Sequence, residues 1–222
     1  MGSRTFIVVF AVLAAAAAWA TDLVVAPTAP AASGAPYDYY DGPLELKYDS
    51  GTLRYYMAWY SGAGTWVGND FDIGAISAYR AIMKVRFYSR PDWPNGQWDG
   101  FRVGIYAYAG GQPGSVLWGP EYFKPRRITA GWYNCAVGWT LPAGNDAFVA
   151  AVEQYYNYPN LDPFAVDNNP TFRNHSWQYY RGSWAKLTGY GGYRNLMLRV
   201  VVNNVPVGVT PTSVGRVKAL YY

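Results

Sequence analysis

The chain has 222 residues, a formal net charge of +4, only 14% charged residues and 18% aromatic ones. So small a positive excess, with no basic cluster, excludes nucleic-acid binding by charge. The single cysteine excludes an internal disulfide framework, so packing, above all of 22 Tyr and 10 Trp, has to supply stability.

Residues 1–20 read as a secretory signal peptide: Arg4 gives the positive n-region, Phe6 to Ala18 the apolar stretch, and Ala18-Trp19-Ala20 the small-residue cleavage site. No later stretch is apolar for long enough to predict a transmembrane segment. The expected location is therefore secreted, extracellular or at the cell surface. Residues 21–43 form an Ala/Pro-rich N-terminal arm with Pro27, Pro30 and Pro36. Its only proline-free apolar run, Leu23, Val24 and Val25, is the part suited to pair with a neighbour's open sheet edge.

From residue 44 to 204 the pattern predicts one domain. Leu44 to Tyr48 and Leu53 to Tyr60 read as a hairpin across Asp49-Ser-Gly-Thr52, and Ser61 to Gly64 breaks the chain. Asn69-Asp70 reads as a turn before Phe71. Ala81 to Tyr88 alternates as a strand, and Pro91 to Gly100 is a loop. In Phe101 to Tyr108 the odd-numbered residues share one face, and Gly110-Gly-Gln-Pro-Gly114 turns the chain back into Val116-Leu-Trp118. Gly131 to Trp139 and Ala147 to Glu153 are two further strands. Asn157 to Asn174 is irregular, His175 to Tyr180 and Ser183 to Leu187 form a hairpin across Arg181-Gly182, and Leu196 to Val202 closes the domain before a tail at 205–222. Short alternating strands with Gly/Pro punctuation predict an all-β, antiparallel sandwich of jelly-roll type. Val103, Ile105, Phe148, Val152, Leu198 and Val200 are its expected core.

The opening Leu46-Lys-Tyr-Asp-Ser-Gly-Thr52, the Gly110-Gly-Gln-Pro-Gly-Ser115 hairpin and the ending Val214-Gly-Arg-Val-Lys-Ala-Leu-Tyr221 resemble motifs of secreted bacterial β-sandwich surface modules found in type IX-exported proteins. Ser50 stands where those modules carry a second Asp. The resemblance implies a jelly-roll-like fold and a surface location, and it implies no reaction.

Catalytic chemistry finds little purchase. His175, the one histidine, sits in Asn174-His-Ser176 without a nucleophile elbow, and Cys135 reads as a small core residue in an alternating strand. Asp70 and Asp72, two apart, are the carboxylate pair a glycoside hydrolase would use, the third functional reading. No cofactor is expected; the weak metal candidate is a structural calcium held by Asn160, Asp162, Asp167, Asn168 and Asn169, and Asx turns explain the same residues. Aromatic residues at turns and strand ends carry the binding signal: Trp59, Trp66, Trp93, Trp98, Tyr155, Tyr156, Tyr158, Trp177, Tyr179, Tyr180 and Trp184. The leading expectation is a non-catalytic assembly subunit that contacts itself or other envelope proteins, filaments included. The alternative is a carbohydrate-binding module using exposed Trp and Tyr.

Overall fold

The computed structural model describes residues 42–90, 100–124, 129–161, 163–167, 174–187 and 195–204, together with the backbone strand Val24–Pro27. The expected leader, Leu23, Trp93, Trp98, Asp162, Asn168, Asn169 and the tail at 205–222 lie outside these residues.

Thirteen strands are described: β1 Val24–Pro27, β2 Leu44–Lys47, β3 Leu53–Met57, β4 Thr65–Asp72, β5 Ala81–Ser89, β6 Phe101–Ala109, β7 Gln112–Phe123, β8 Gly131–Thr140, β9 Ala147–Gln154, β10 Phe164–Asp167, β11 Ser176–Tyr180, β12 Ser183–Lys186 and β13 Leu198–Asn203. All pairings between them are antiparallel, in two sheets packed face to face. The first sheet runs β1-β2-β13-β5, with β8 also on β5 and a β10-β3 ribbon joined to β5 through Phe164 and Ser89. The second runs β12-β11-β4-β9-β6-β7. The chain crosses repeatedly from one sheet to the other, so the fold is the all-β antiparallel sandwich that the alternation predicts.

The core lies between the sheets, and its phase follows from period-two alternation. Val103, Ile105, Phe148, Val152, Leu198 and Val200 all belong to it, joined by Leu46, Phe71, Ile82 and Val85. Cys135 is buried there opposite Val85, and burial pushes its thiol pKa up, which keeps it protonated.

Three local expectations fail, each because pairing is decided at long range. β2 and β3 are not a hairpin: β2 pairs β1 and β13, while β3 pairs β10. Asn69-Asp70 is not a turn but the middle of β4, a central strand. There the Asn69 amide donates to the carbonyls of Leu196 and Leu198, so a buried polar residue is satisfied by the opposite sheet. β10 interrupts the segment expected to be irregular, with Ala165 opposite Tyr56 in β3. The β6-β7 and β11-β12 hairpins form as expected, β7 running on to Phe123.

Candidate functional site

The second sheet has another apolar face, turned away from the core. On β4, β9 and β6 the residues facing outward alternate with core residues, and the register sets Gly68 beside Ala151 and Ala151 beside Gly104. A row of three such small residues leaves little side-chain bulk on this side. A Cβ on Gly68 would come within 2.8 Å of the Ala151 Cβ and 2.4 Å of the Ala150 carbonyl oxygen, so glycine is required there. The sheet bends toward its empty side. In a flat sheet β12 and β6, four strands apart, would lie about 19 Å from each other. Instead the Trp184 and Tyr106 rings meet edge to face at 5.2 Å, and the edge strands β12 and β7 approach each other. The outer face is therefore concave.

Aromatic rings fill the concavity. Trp66, Tyr106 and Trp177 are buried in it with Val149 and Ala151, and Tyr108, Tyr179 and Trp184 pack on them half-exposed. Trp66 meets Tyr106 at 5.6 Å, Tyr108 meets Trp177 at 5.9 Å, and Tyr179 meets Trp184 at 5.3 Å. Burial pushes the Tyr108 hydroxyl up to about 12, helped by the nearby Asp70 charge, and raises Tyr106 as well. Both phenols stay neutral at ordinary pH.

Charged groups close the two ends of this face. At one end Asp70 on β4 is buried and collects three donors: His175 Nδ1 lies 2.6 Å from Oδ2, while the Trp177 indole N–H and the Lys186 ammonium (2.9 Å) meet Oδ1. Burial alone would raise the Asp70 pKa, but the His175 hydrogen bond, the Lys186 charge and the indole hold it below the ordinary carboxylate range. Lys186 also donates to the Asn174 carbonyl and sits 3.9 Å from the centre of the Trp177 ring. Its own pKa is lowered, because the desolvation of its ammonium outweighs what Asp70 returns. Tyr48, stacked on Phe71 in the core, stacks on the His175 ring at 3.9 Å and fixes its plane.

At the other end Arg102 forks onto the buried Glu153 carboxylate and lies 5.2 Å over the Tyr155 ring. Beyond it the loops after β3 and β9 form a tyrosine ledge. Tyr155 meets Tyr122 at 5.7 Å and Tyr156 at 4.8 Å, while Tyr60 meets Tyr158 at 4.8 Å. Tyr60 (74%), Tyr122 (50%), Tyr156 (40%) and Tyr155 (36%) are four of the five most exposed large apolar residues described. The ledge is held from beneath by Gln154, whose amide donates to the carbonyls of Trp59 and Tyr156 and accepts from the Trp59 N–H. Asn157 accepts from the Ala63 N–H and ties the same loops together.

The aromatic residues singled out by sequence thus divide. Trp184, Tyr179, Tyr155, Tyr156 and Tyr158 lie on the concave face or its ledge, with Tyr158 and Trp184 half-exposed. Trp59, Trp66 and Trp177 are buried rather than exposed: Trp59 packs on Phe164, and the other two are the floor of the concavity. Tyr180 is half-buried against the inter-sheet core, and Arg181 covers its ring at 5.0 Å. Sequence reading missed Tyr60, Tyr106, Tyr108 and Tyr122. Tyr106 and Tyr108 sit opposite the core phase of β6, which was a usable signal; the loop contact of Tyr60 with Tyr158 left none.

Asp72 is exposed and accepts from the Gly74 N–H, while the Asp70 oxygens are taken by His175, Trp177 and Lys186. Asp167 spends its oxygens on the N–H groups of Ser50 and Asn195, and burial raises its pKa. Asn160 is exposed, and among the described residues no group of three or more His, Cys, Asp or Glu is arranged to hold a metal. Val24 and Val25 pair in register with Lys47 and Leu46 of the chain's own β2. Among the described residues no helix is long and apolar enough to cross a membrane.

No family model matches the chain, and no curated protein matches it. Among solved structures the chain is similar to the cysteine protease and lectin-like domains of Cwp84, a surface layer associated protein of Clostridium difficile, with 12% identity and a TM-score of 0.46. The match covers 83% of this chain and 36% of that one, so the chain spans about a third of that protein's length.

Proposed function

We propose that this chain is a secreted or surface-located, non-catalytic β-sandwich that binds neutral glycans on the concave face of its six-stranded sheet. The observation that carries this reading is the convergence of rings from β4, β6, β11 and β12 on one concave face, opposite the core. Half-exposed rings such as Tyr179 and Trp184 offer flat apolar surfaces to the C–H faces of sugars, while phenol and indole edges and the flanking ion pairs offer hydrogen bonds to hydroxyls. The two described cations on this face, Lys186 and Arg102, are each neutralised by a buried carboxylate, which supports a neutral ligand over an acidic one. The half-exposed rim rings Tyr108, Tyr179 and Trp184 and the exposed ledge of Tyr60, Tyr122, Tyr155 and Tyr156 supply the surface on which sugar rings would rest. The experiment is calorimetric titration of the purified chain against neutral oligosaccharides of graded length, beside Trp184→Ala. Saturable binding that Trp184→Ala weakens tenfold or more is expected; binding unaffected by that change, or no binding to any neutral glycan at millimolar concentration, removes the reading.

The second reading, an assembly subunit of the cell surface, is favoured by a different observation: the N-terminal arm places a strand at the edge of the first sheet.

A further inference from the structure

β1 is the outermost strand of its sheet and lies on β2 in unbroken register, from Val24 opposite Lys47 to Pro27 opposite Leu44. β2 is an unusual strand to have at an edge. Its Leu44 and Leu46 are in the inter-sheet core, and on its other face Glu45 is buried between the guanidinium groups of Arg86 and Arg199. Edge strands are normally protected by exposed charges, prolines or bulges, because a row of open N–H and C=O groups recruits any strand that arrives. β2 has no bulge, and its Leu44, Glu45 and Leu46 are buried, so without β1 its half-exposed Lys47 is the one outward charge left to guard the edge.

The geometry points to β1 as a removable guard: it occupies the β2 edge in cis, and its release opens β2 to antiparallel pairing with β2 of a second copy. The sequence of β2 favours this occupant. In a two-fold pairing centred on Leu46, residues on the same face meet, so Leu46 lies opposite Leu46 and Leu44 opposite Tyr48. The same register sets Glu45 of each strand opposite Lys47 of the other, two cross-strand pairs of opposite charge. The core faces of both copies then lie on one side, and two seven-stranded sheets become one continuous sheet. Residues 28–43 join β1 to β2 and span at most roughly 55 Å when fully extended, so β1 can leave the edge while the chain stays intact.

This inference does not rest on glycan binding; it deepens the assembly reading by naming the surface and the partner. The test compares the full chain with two variants by sedimentation velocity across concentration. In the locked variant Val24→Cys/Lys47→Cys joins two register partners, whose antiparallel Cα separation suits a disulfide. In the release variant Val24→Pro/Val25→Pro removes a ladder N–H whichever of the two faces β2. The release variant is expected to dimerise at least tenfold more tightly than the full chain, the locked one to stay monomeric, and Lys47→Glu in the release background to abolish the gain by setting like charges opposite one another. A release variant that is folded by circular dichroism and monomeric overturns the guard. Equal association of the locked and release variants also overturns it and leaves the assembly reading standing on another surface; no association in any of the three proteins removes both. Where the double proline variant does not fold, the full chain against the locked variant decides at millimolar concentration, with dimer in the first and not the second expected and equal behaviour overturning the guard.

Discussion

The six-stranded sheet carries apolar groups on both faces, and the two are built differently. Toward the other sheet it presents Val67, Phe71, Val103, Ile105, Phe148 and Val152, residues covered by a second layer of strands. Away from it the sheet presents Trp66, Tyr106 and Trp177, buried by neighbouring rings and by the curl of the sheet itself. The first face is closed by another element, and the second by its own curvature. A cluster closed in the second way keeps half-exposed rings at its rim, with polar atoms beside them, and so serves as both packing and surface. Large aromatic residues in a small β-sandwich are thus not divided into core and interface; Trp177 buries its ring and gives its N–H to Asp70.

Substitutions on the two faces should separate these roles. The largest effect is expected in the core. Ile105→Ala removes a fully buried side chain from between the sheets and should cost about 2–5 kcal/mol, read as a lower midpoint in urea with an unchanged slope. A loss below about 1 kcal/mol would erase the contrast, because the inner face would then be no better packed than the outer one.

Next comes Asp70→Asn, which leaves the partly buried Lys186 without its counter-charge and should cost about 2–3 kcal/mol at pH 7. Its pH dependence sharpens the point. Asp70 has a folded pKa below its unfolded value, so its contribution is complete above the unfolded value of about 3.9 and is lost as pH falls through the folded one. The stability gap between the parent chain and Asp70→Asn should therefore shrink as pH falls below about 4 in urea titrations. A constant gap down to pH 2 would show that the hydrogen-bond geometry, rather than the charge, holds the end of the concave face.

Trp184→Ala is expected to cost only about 1 kcal/mol of stability, since the ring is half-exposed and its described ring contacts are an edge contact with Tyr106 and a tilted one with Tyr179. Its larger effect should fall on glycan affinity. A thermal-shift assay with and without oligosaccharide reads both at once: a small fall in midpoint, and loss of the ligand-induced rise. Smallest is Tyr122→Ala on the exposed ledge, expected to change stability by less than about 0.5 kcal/mol while weakening binding of longer oligosaccharides more than short ones. A loss shared equally by long and short ligands would detach the ledge from the concave face.

The sequence by itself determined the phases of β6, β9 and β13 and the two tight hairpins. Alternation is a local property, so Val103, Ile105, Phe148, Val152, Leu198 and Val200 could be assigned to one core before any partner was known. The reversals at Gly110-Gly111 and Arg181-Gly182 are likewise written in glycines that accept positive φ; all three adopt it, and the turn holds Arg181 there as well. Tertiary structure decided everything that depends on a partner distant in the chain. Asn69-Asp70 has the composition of a turn, yet lies in a central strand because Leu196 and Leu198 carbonyls accept from Asn69 while His175, Trp177 and Lys186 surround Asp70. Alternation also says which residues share a face but not what covers that face. Whether Trp66 would be exposed or buried turned on Gly68, Ala151 and Gly104 falling in one row across three strands, a coincidence of register that bends the sheet and that no single strand can show.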